Sequence, residues 1–252
     1  MKPPHVLLAL SELPRALADA TLLQPAIPLL RRLPRGNGQA VMVLPGFMGS
    51  DRGNLPLIRF LNSMGYNAMG WGQGQNRGQQ NFSEDGLRER MTRMMRESRG
   101  KITLIGHSLG GLYAREIAKQ QPDIIAQVIT LGSPFEEGRD TGSQASRLYQ
   151  RLNPDRQQEE RQPDTPQLST PPPVPTTAIY TRADGVVNWK TSIQRGNFSH
   201  VHNIEVLGSH IGLNMNPGCG TGFSRSSITP PPALPEPSGA ISLASQQLRA
   251  RG

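Results

Sequence analysis

The 252-residue sequence predicts an α/β domain with a mostly parallel central sheet flanked by helices. Short apolar runs alternate along the chain with longer segments whose apolar residues recur at helical spacing. The run at residues 40–44 is apolar at every position, which is typical of a strand buried on both faces of a parallel sheet. In addition, residues 101–105 form a mainly β-branched and apolar run and lead through a glycine-rich turn into a helical segment. Repeated strand–helix alternation indicates βαβ units.

Residues 1–36 are predicted to form a helical extension. Leucines and alanines recur at helical spacing between residues 5 and 33, and Pro14, Pro25 and Pro28 interrupt the pattern. Because an internal proline removes a backbone hydrogen bond, we expect one or two short helices on the outside of the domain.

The domain itself is predicted to span residues 37–216. Strands are expected at residues 40–44, 66–69, 101–105, 127–131, 177–181 and 203–207. Helices are expected at residues 54–64 and 83–98, and from residue 112 to about residue 121. The methionines of the second helix lie on one face, which favours core packing over a cofactor site.

Two segments depart in composition from the rest of the chain. Residues 136–175 are rich in Arg, Gln, Asp and Pro, and they are predicted to be a flexible, lid-like insertion with one short helix at residues 143–152. Residues 217–252 are predicted to be an irregular, disordered tail, because Gly, Ser and Pro dominate them and only residues 241–248 could form a helix.

The turn after the third predicted strand reads Gly106-His107-Ser108-Leu109-Gly110. A G-x-S-x-G sequence between a strand and a helix is typical of a nucleophile elbow, in which a strained turn exposes the serine hydroxyl. The two glycines leave room where a Cβ would strike the neighbouring strand or helix. The alternative is an incidental serine in a glycine-rich loop, but the flanking strand and helix favour a nucleophile. His107 cannot readily turn back onto the adjacent hydroxyl and is expected to be structural.

A nucleophilic serine needs a general base. Three histidines follow Ser108 in the chain: His200, His202 and His210. His210 comes just after the last predicted strand, where a loop can carry its imidazole over the elbow. His200 and His202 precede that strand and should lie at its opposite end. We therefore favour His210 as the base, with His202 as the alternative.

The acid that orients this base must also follow the serine, because the chain order in hydrolases with this elbow is Ser, then Asp or Glu, then His. Asp184 lies directly beyond a predicted strand and would fix the tautomer of His210. Asp184-Gly185 is also a turn signal, and both interpretations can hold together. Asp155 and Asp164 lie in the predicted insertion, which is a poor platform for a precisely held group.

The tetrahedral intermediate of acyl transfer needs two hydrogen-bond donors. The backbone N–H of Leu109 follows the nucleophile directly, and the N–H of Phe47 lies in the loop after the first strong strand. Gly46 would let this loop approach a substrate, although Pro45-Gly46 also fits a plain turn. Apolar residues near Phe47, namely Met48 and Trp71, suggest an acyl pocket.

Charge and cysteine content exclude several other classes. The net charge is +8, but the basic residues are spread along the chain with no run longer than Arg31-Arg32, which favours a solvated surface over a nucleic-acid site. The single cysteine, Cys219, excludes an internal disulfide framework and a cysteine-rich metal site. We expect it to be a stray thiol rather than a nucleophile.

No apolar run approaches the 18 residues typical of a membrane-spanning helix. The apolar block at residues 6–10 is too short for the core of a signal peptide. The expected location is therefore the cytoplasm.

Four segments together resemble the α/β-hydrolase superfamily, and within it they are similar to bacterial esterases and triacylglycerol lipases. They are residues 43–47, 106–114, 131–134 and 208–210, and the similarity runs from about residue 33 to residue 215. The resemblance implies a triad of Ser108, Asp184 and His210 with Phe47 and Leu109 as oxyanion donors. It further implies hydrolysis of a small-molecule acyl ester or lipid through an acyl-enzyme, without a metal or organic cofactor.

Two departures from that family shape the functional expectation. The short, polar insertion argues against a large apolar lid and favours an esterase acting on soluble or modest acyl chains. The family's C-terminal helix is replaced by the irregular tail. Alternatives are an acyltransferase that uses the same triad, or an inactive scaffold that binds a partner or lipid. Nucleic-acid binding is the weakest, because no recognisable module is present.

Overall fold

The computed structural model describes residues 4–78, 82–98, 100–136 and 168–219. Within these residues, six strands form one parallel sheet in the order β2-β1-β3-β4-β5-β6. The strands are β1 (Ala40–Leu44), β2 (Asn67–Gly70), β3 (Ile102–His107), β4 (Ile125–Leu131), β5 (Thr176–Tyr180) and β6 (Val201–Glu205). The predicted parallel α/β architecture is thus confirmed.

Helices cover both faces of this sheet. They are α1 (Val6–Leu10), α2 (Glu12–Leu30), α3 (Asp51–Ser63), α4 (Glu84–Ser98) and α5 (Leu109–Gln120). Buried residues of α4 and α5 pack on one face, where Met42 and Leu104 point. Buried residues of α2 and α3 pack on the other face, against Val41 and Ile105. Because successive strand side chains alternate between faces, a strand covered on both sides buries all of its side chains, and the fully apolar β1 is buried at every position, as the sequence predicted.

The bounds of the elements differ from the predicted ones by a few residues. The helix α5 begins at Leu109, inside the glycine-rich motif, rather than at residue 112. The strand β6 ends at Glu205, two residues before the predicted end. The methionines Met91 and Met94 of α4 are buried in the core, as expected from their spacing.

The N-terminal helix α2 is longer than predicted. It continues for 19 residues through Pro25 and Pro28, although each of them lacks the N–H of a helical hydrogen bond. Leu23 and Leu30, which flank the two prolines, are buried in the core beside α3. Burial of these side chains offsets the missing hydrogen bonds, an effect that a pattern of prolines alone does not reveal.

Parts of the predicted insertion and tail lie outside the described residues. These are residues 137–167, including the short helix expected at residues 143–152, and residues 220–252. Cys219, at the start of the predicted tail, is buried in the core. Burial and the nearby charge of Asp19 raise the pKa of its thiol far above the ordinary value, so the thiol stays protonated and is a poor nucleophile.

Among the helices in the described part of the chain, none combines the length and apolar composition required to cross a bilayer.

Candidate active site

The predicted site residues gather at the carboxyl edge of the sheet. Ser108 directly follows β3, Asp184 lies in the loop after β5, and His210 lies in the loop after β6. All three strands are parallel, so these loops emerge at the same edge. This is the edge at which open parallel sheets bind their ligands.

Ser108 occupies a strained turn between β3 and α5. Its backbone angles are φ 50° and ψ −118°, a combination that favours glycine, and its N–H donates to the Leu131 carbonyl at 2.8 Å. A Cβ on Gly106 would collide with the backbone of Gly110, and one on Gly110 would lie 2.7 Å from the carbonyl oxygen of Pro45. The two glycines of the motif are therefore required by close backbone approach, as the sequence predicted.

Asp184 and His210 form a buried pair. Nδ1 of His210 lies 2.6 Å from Oδ2 of Asp184, while Oδ1 of Asp184 accepts the N–H groups of Val186 and Val187, each at 2.8 Å. An ionised carboxylate only accepts hydrogen bonds, so the proton of a neutral His210 resides on Nδ1. Nε2 is then left with a lone pair that can accept a proton.

Two opposing effects determine the pKa of His210. Burial alone lowers it, because a cation is poorly solvated in the interior. The negative charge of Asp184, its hydrogen bond and the charge of Glu12 raise it, and the net pKa lies above the ordinary 6.5. The surroundings therefore stabilise the imidazolium that forms whenever His210 takes up a proton.

His107 anchors the His210 loop. Its Nε2 lies 2.8 Å from the His210 carbonyl oxygen, and the two ring centroids are 5.2 Å apart. Burial and the neighbouring His210 charge lower the pKa of His107 to about 4, so its ring is neutral near pH 7. Since a carbonyl can only accept, Nε2 of His107 carries the proton and donates it. This contact fits the structural role predicted for His107.

Ser108 and His210 both lie beside the Leu131–Gly132 segment at the end of β4. The Ser108 N–H donates to the Leu131 carbonyl, and a Cβ on Gly132 would lie 3.1 Å from Nδ1 of His210. Within the described residues, no hydrogen bond joins the Ser108 hydroxyl to His210. Such bonds are often long before substrate binds and shorten in the reacting complex.

The loop after β1 is held in place by a residue that the sequence analysis did not single out. Nδ2 of the fully buried Asn76 donates to the Pro45 carbonyl at 2.7 Å. The Asn76 backbone accepts from Met48 N–H at 2.7 Å and donates to the Gly49 carbonyl at 2.8 Å. Phe47 lies within this loop, and Leu109 supplies the first amide of α5, which has no partner within the helix. The only sequence signal was an asparagine in a glycine-rich loop.

The two predicted pocket residues differ in position. Met48 is about half exposed at the edge of the sheet. Trp71 is fully buried in the core, and its Nε1–H donates to the Gly74 carbonyl at 2.9 Å. Its indole has no surface left for a substrate, so we assign Trp71 to the core. An aromatic residue in a glycine-rich loop can fill either place, and the sequence does not distinguish them.

The other two histidines that follow Ser108 in the chain lie away from this edge. His202 is the second residue of β6 and is exposed, and Nε2 of His200 pairs with the Pro172 carbonyl at 3.0 Å. His200 precedes β6 and His202 lies near its start, whereas His210 follows its end. Both histidines therefore lie at the opposite end of the strand from His210, as expected.

Three charged residues of α2 reach the loops of Asp184 and His210 and were also missed by the sequence analysis. They are Glu12, Arg15 and Asp19. Their spacing of three and four residues, which places them on one helix face, was the available signal.

Across the described residues, no group of three or more His, Cys, Asp or Glu side chains is arranged to hold a metal ion.

A family model described as alpha/beta hydrolase fold matches residues 39–172. Solved structures with this fold include a pyrethroid hydrolase from Sphingobium faniae, which is 16% identical, with 76% of this chain and 98% of that chain covered at a TM-score of 0.51. A chain of the metagenome-derived lipolytic enzymes LipS and LipT is 14% identical, with 77% and 96% covered at a TM-score of 0.53. No curated protein matches the chain in sequence. At these identities the structural similarity establishes the fold.

Proposed function

Since the chain belongs to the α/β hydrolase fold family, we propose that it is a serine hydrolase that cleaves carboxylic esters through an acyl-enzyme. The observation that carries this proposal is the 2.6 Å contact of Asp184 with His210, at the sheet edge where the strained turn presents Ser108. A nucleophile, a base and a group that orients the base are the parts that acyl transfer requires.

In the proposed reaction, Nε2 of His210 takes the proton of the Ser108 hydroxyl as its oxygen attacks the ester carbonyl carbon. Asp184 stabilises the imidazolium. The backbone N–H groups of Leu109 and Phe47 donate to the oxyanion of the tetrahedral intermediate. This intermediate collapses to the acyl-enzyme, and the alcohol leaves with the proton held by His210. Water then attacks the acyl group in the same manner and releases the acid.

Labelling with a fluorophosphonate probe tests the proposal directly, because such probes react with activated serines. We expect the purified protein to gain one probe mass, and peptide mapping to locate the adduct at Ser108. Heat-unfolded protein is the control and should remain unlabelled. Folded protein that takes up no probe would contradict the proposal and favour a binding scaffold.

Rates of hydrolysis of p-nitrophenyl esters with acyl chains from acetyl to palmitoyl identify the substrate class. We propose a preference for short or modest acyl chains, because the insertion predicted from the sequence at residues 136–175 is short and polar. Product analysis in the presence of alcohols and amines separates the hydrolase from an acyltransferase. Release of free acid is expected, whereas accumulation of a new ester or amide would indicate transfer.

Asn76→Asp is expected to lower kcat about 10- to 100-fold, somewhat less than direct loss of an oxyanion donor. The substituted carboxylate still accepts the Gly78 N–H, but it cannot donate to Pro45 and would repel that carbonyl. The loop that carries Phe47 would therefore move away from the oxyanion. The measurement is kcat on an acetyl ester.

The control is Asn62→Asp, at an exposed asparagine that makes the same type of backbone contacts. The Asn62 amide donates to the Ala68 carbonyl at 3.1 Å and accepts the Ala68 N–H at 2.8 Å, so it clamps backbone in a similar way. Ala68 belongs to the edge strand β2, which carries none of the proposed catalytic residues. Equal kcat losses in the two variants would attribute the effect to general destabilisation.

A further inference from the structure

One face of α2 carries three charged side chains where a helix packed on a domain normally presents apolar ones. Glu12 and Asp19 are 3% and 6% exposed, and Arg15 lies between them. Burying a carboxylate is costly unless hydrogen bonds replace its water. The contacts of these three residues therefore indicate what this helix face does.

Glu12 binds the backbone beside both members of the Asp184–His210 pair. Its Oε1 accepts the N–H of Gly185 at 2.8 Å and that of His210 at 3.2 Å, and its Oε2 accepts the N–H of Ile211 at 3.0 Å. One carboxylate thus joins the loop after β5 to the loop after β6.

Asp19 holds the second of these loops one residue earlier. Its Oδ2 accepts the N–H of Ser209 at 2.9 Å and the Ser209 hydroxyl at 2.7 Å. Its Oδ1 accepts Nδ2 of Asn216 at 2.8 Å. Through these bonds, α2 also fixes the segment that enters and leaves the His210 turn.

Arg15, the positively charged member of the three, donates hydrogen bonds to carbonyl groups of the same two loops. Its Nη1 donates to the Ala183 carbonyl at 2.6 Å and to the Gly208 carbonyl at 3.3 Å, and its Nη2 donates to Oε1 of Glu12 at 2.8 Å. Glu12 and Arg15 together contact the residues on both sides of Asp184 and of the Ser209–His210 pair.

Glycines in the two loops leave the space that these contacts need. A Cβ on Gly185 would collide with the carbonyl group of Leu8, and a Cβ on Gly212 would collide with the Asp19 carboxylate. Gly208 has a φ of 151°, and a Cβ there would lie 3.1 Å from Oδ1 of Asp19. The Asp184 loop therefore packs closely on α1, and the His210 loop is complementary to α2 in shape as well as in hydrogen bonding.

We propose that α2 is a positioning element of the active site, in which Glu12, Arg15 and Asp19 clamp the Asp184 loop and the His210 loop in the reactive arrangement. The proposal rests on the proposed function. Asp184 and His210 sit on loops from two different strands, and only a fixed separation of those loops preserves their 2.6 Å contact. Small displacements of catalytic groups have large effects on rate.

The charge of Glu12 gives the clamp an electrostatic signature. The charged and titratable groups around His210 are Asp184, His107, Glu12, Arg15 and Asp19. Of these, Asp184 and Glu12 raise the pKa of His210. By Coulomb's law a positive charge near the ring, such as that of Arg15, acts in the opposite direction. Neutralising Glu12 should therefore lower the pKa of His210, and neutralising Arg15 should raise it.

The test uses Glu12→Gln, a substitution that keeps the side-chain size. Glutamine would direct an N–H group at one of the backbone N–H donors, so we expect kcat to fall about 10- to 100-fold with KM changed less than about twofold. Because neutral His210 is the base, kcat/KM rises with pH through its pKa, and this acid limb should move to lower pH in the variant. NMR titration of the His210 ring reads the same pKa without any turnover.

Two further variants separate positioning from loss of stability. Asp51→Asn is the matched control, because Asp51 is a first-turn carboxylate that accepts the N–H groups of Trp71 and Gly72 at 3.0 and 2.9 Å. It should leave the pKa of His210 in place. Arg15→Gln should raise that pKa and lower kcat. Because the Arg15 side chain is partly exposed, we expect this variant to fold.

Shifts of the His210 pKa in opposite directions for Glu12→Gln and Arg15→Gln would support the clamp even if the wild-type protein hydrolyses no ester, in which case only the proposed function fails. An unmoved pKa in both variants, or the same shift in Asp51→Asn, would overturn the clamp. Should Glu12→Gln not fold, the titration of Arg15→Gln decides the matter alone.

Discussion

Replacing Ser108 by alanine is expected to lower kcat for ester hydrolysis on the order of 10⁴-fold or more, because acyl transfer loses its nucleophile. The alanine side chain fits wherever the serine side chain does, so the variant should stay folded with its unfolding temperature nearly unchanged. The measurement combines kcat on an activated ester with thermal unfolding. Retention of more than about one hundredth of the wild-type kcat would assign the chemistry to another residue.

A second substitution at this position separates chemistry from strain. Ser108 adopts φ 50° and ψ −118°, which glycine tolerates far better than a residue with a Cβ. Ser108→Gly should therefore be as inactive as Ser108→Ala but have a free energy of unfolding higher by about 1 kcal/mol. Equal stability of the two variants would show that the turn stores little strain.

Asp184→Asn is expected to lower kcat on the order of 10⁴-fold while preserving the fold. Asparagine has one oxygen, and the two N–H groups of Val186 and Val187 already require an acceptor at the Oδ1 position. Its amide group would then face Nδ1 of His210, which must become an acceptor. The ring proton moves to Nε2, so the imidazole can no longer accept the proton of Ser108.

The tautomer of His210 is a direct check on this reasoning. Nitrogen chemical shifts of the ring should change from a protonated Nδ1 in the wild type to a protonated Nε2 in the variant. Asp123→Asn, which removes an exposed carboxylate at the other end of the sheet, serves as the control and should alter neither the shifts nor kcat. A variant that keeps Nδ1 protonated and remains active would exclude Asp184 as the orienting group.

Features that depend on neighbouring residues were predictable from the sequence. The parallel sheet followed from the fully apolar run of β1 and from the alternation of strands with helices, and the elbow followed from two glycines around Ser108 between a strand and a helix. The placement of Asp184 and His210 also followed, because each comes soon after a parallel strand and such loops share one edge. Their catalytic roles stay predictions until Ser108 is labelled.

Features that depend on distant contacts were not predictable. Asn76 reaches Pro45 across a loop, and Glu12 reaches His210 across nearly the whole described chain. Trp71 was predicted to line a pocket but is fully buried in the core. The sequence alone does not show whether an aromatic residue of a loop packs inward or lines a surface pocket. The prolines of α2 suggested a break, whereas packing of Leu23 and Leu30 maintained the helix. In each case tertiary packing outweighed the local pattern.

The contacts of α2 also determine when the site can exist. Glu12 and His210 are 198 residues apart in the chain, and Asp19 and Ser209 are 190 apart. During synthesis α2 therefore leaves the ribosome well before the loop that carries its partners. Contacts between residues so far apart in the chain form slowly, because the entropy of closing a long loop is lost before the contacts can stabilise the structure. The sheet and its elbow can therefore assemble first, and the reactive arrangement is completed only when α2 docks on the His210 loop.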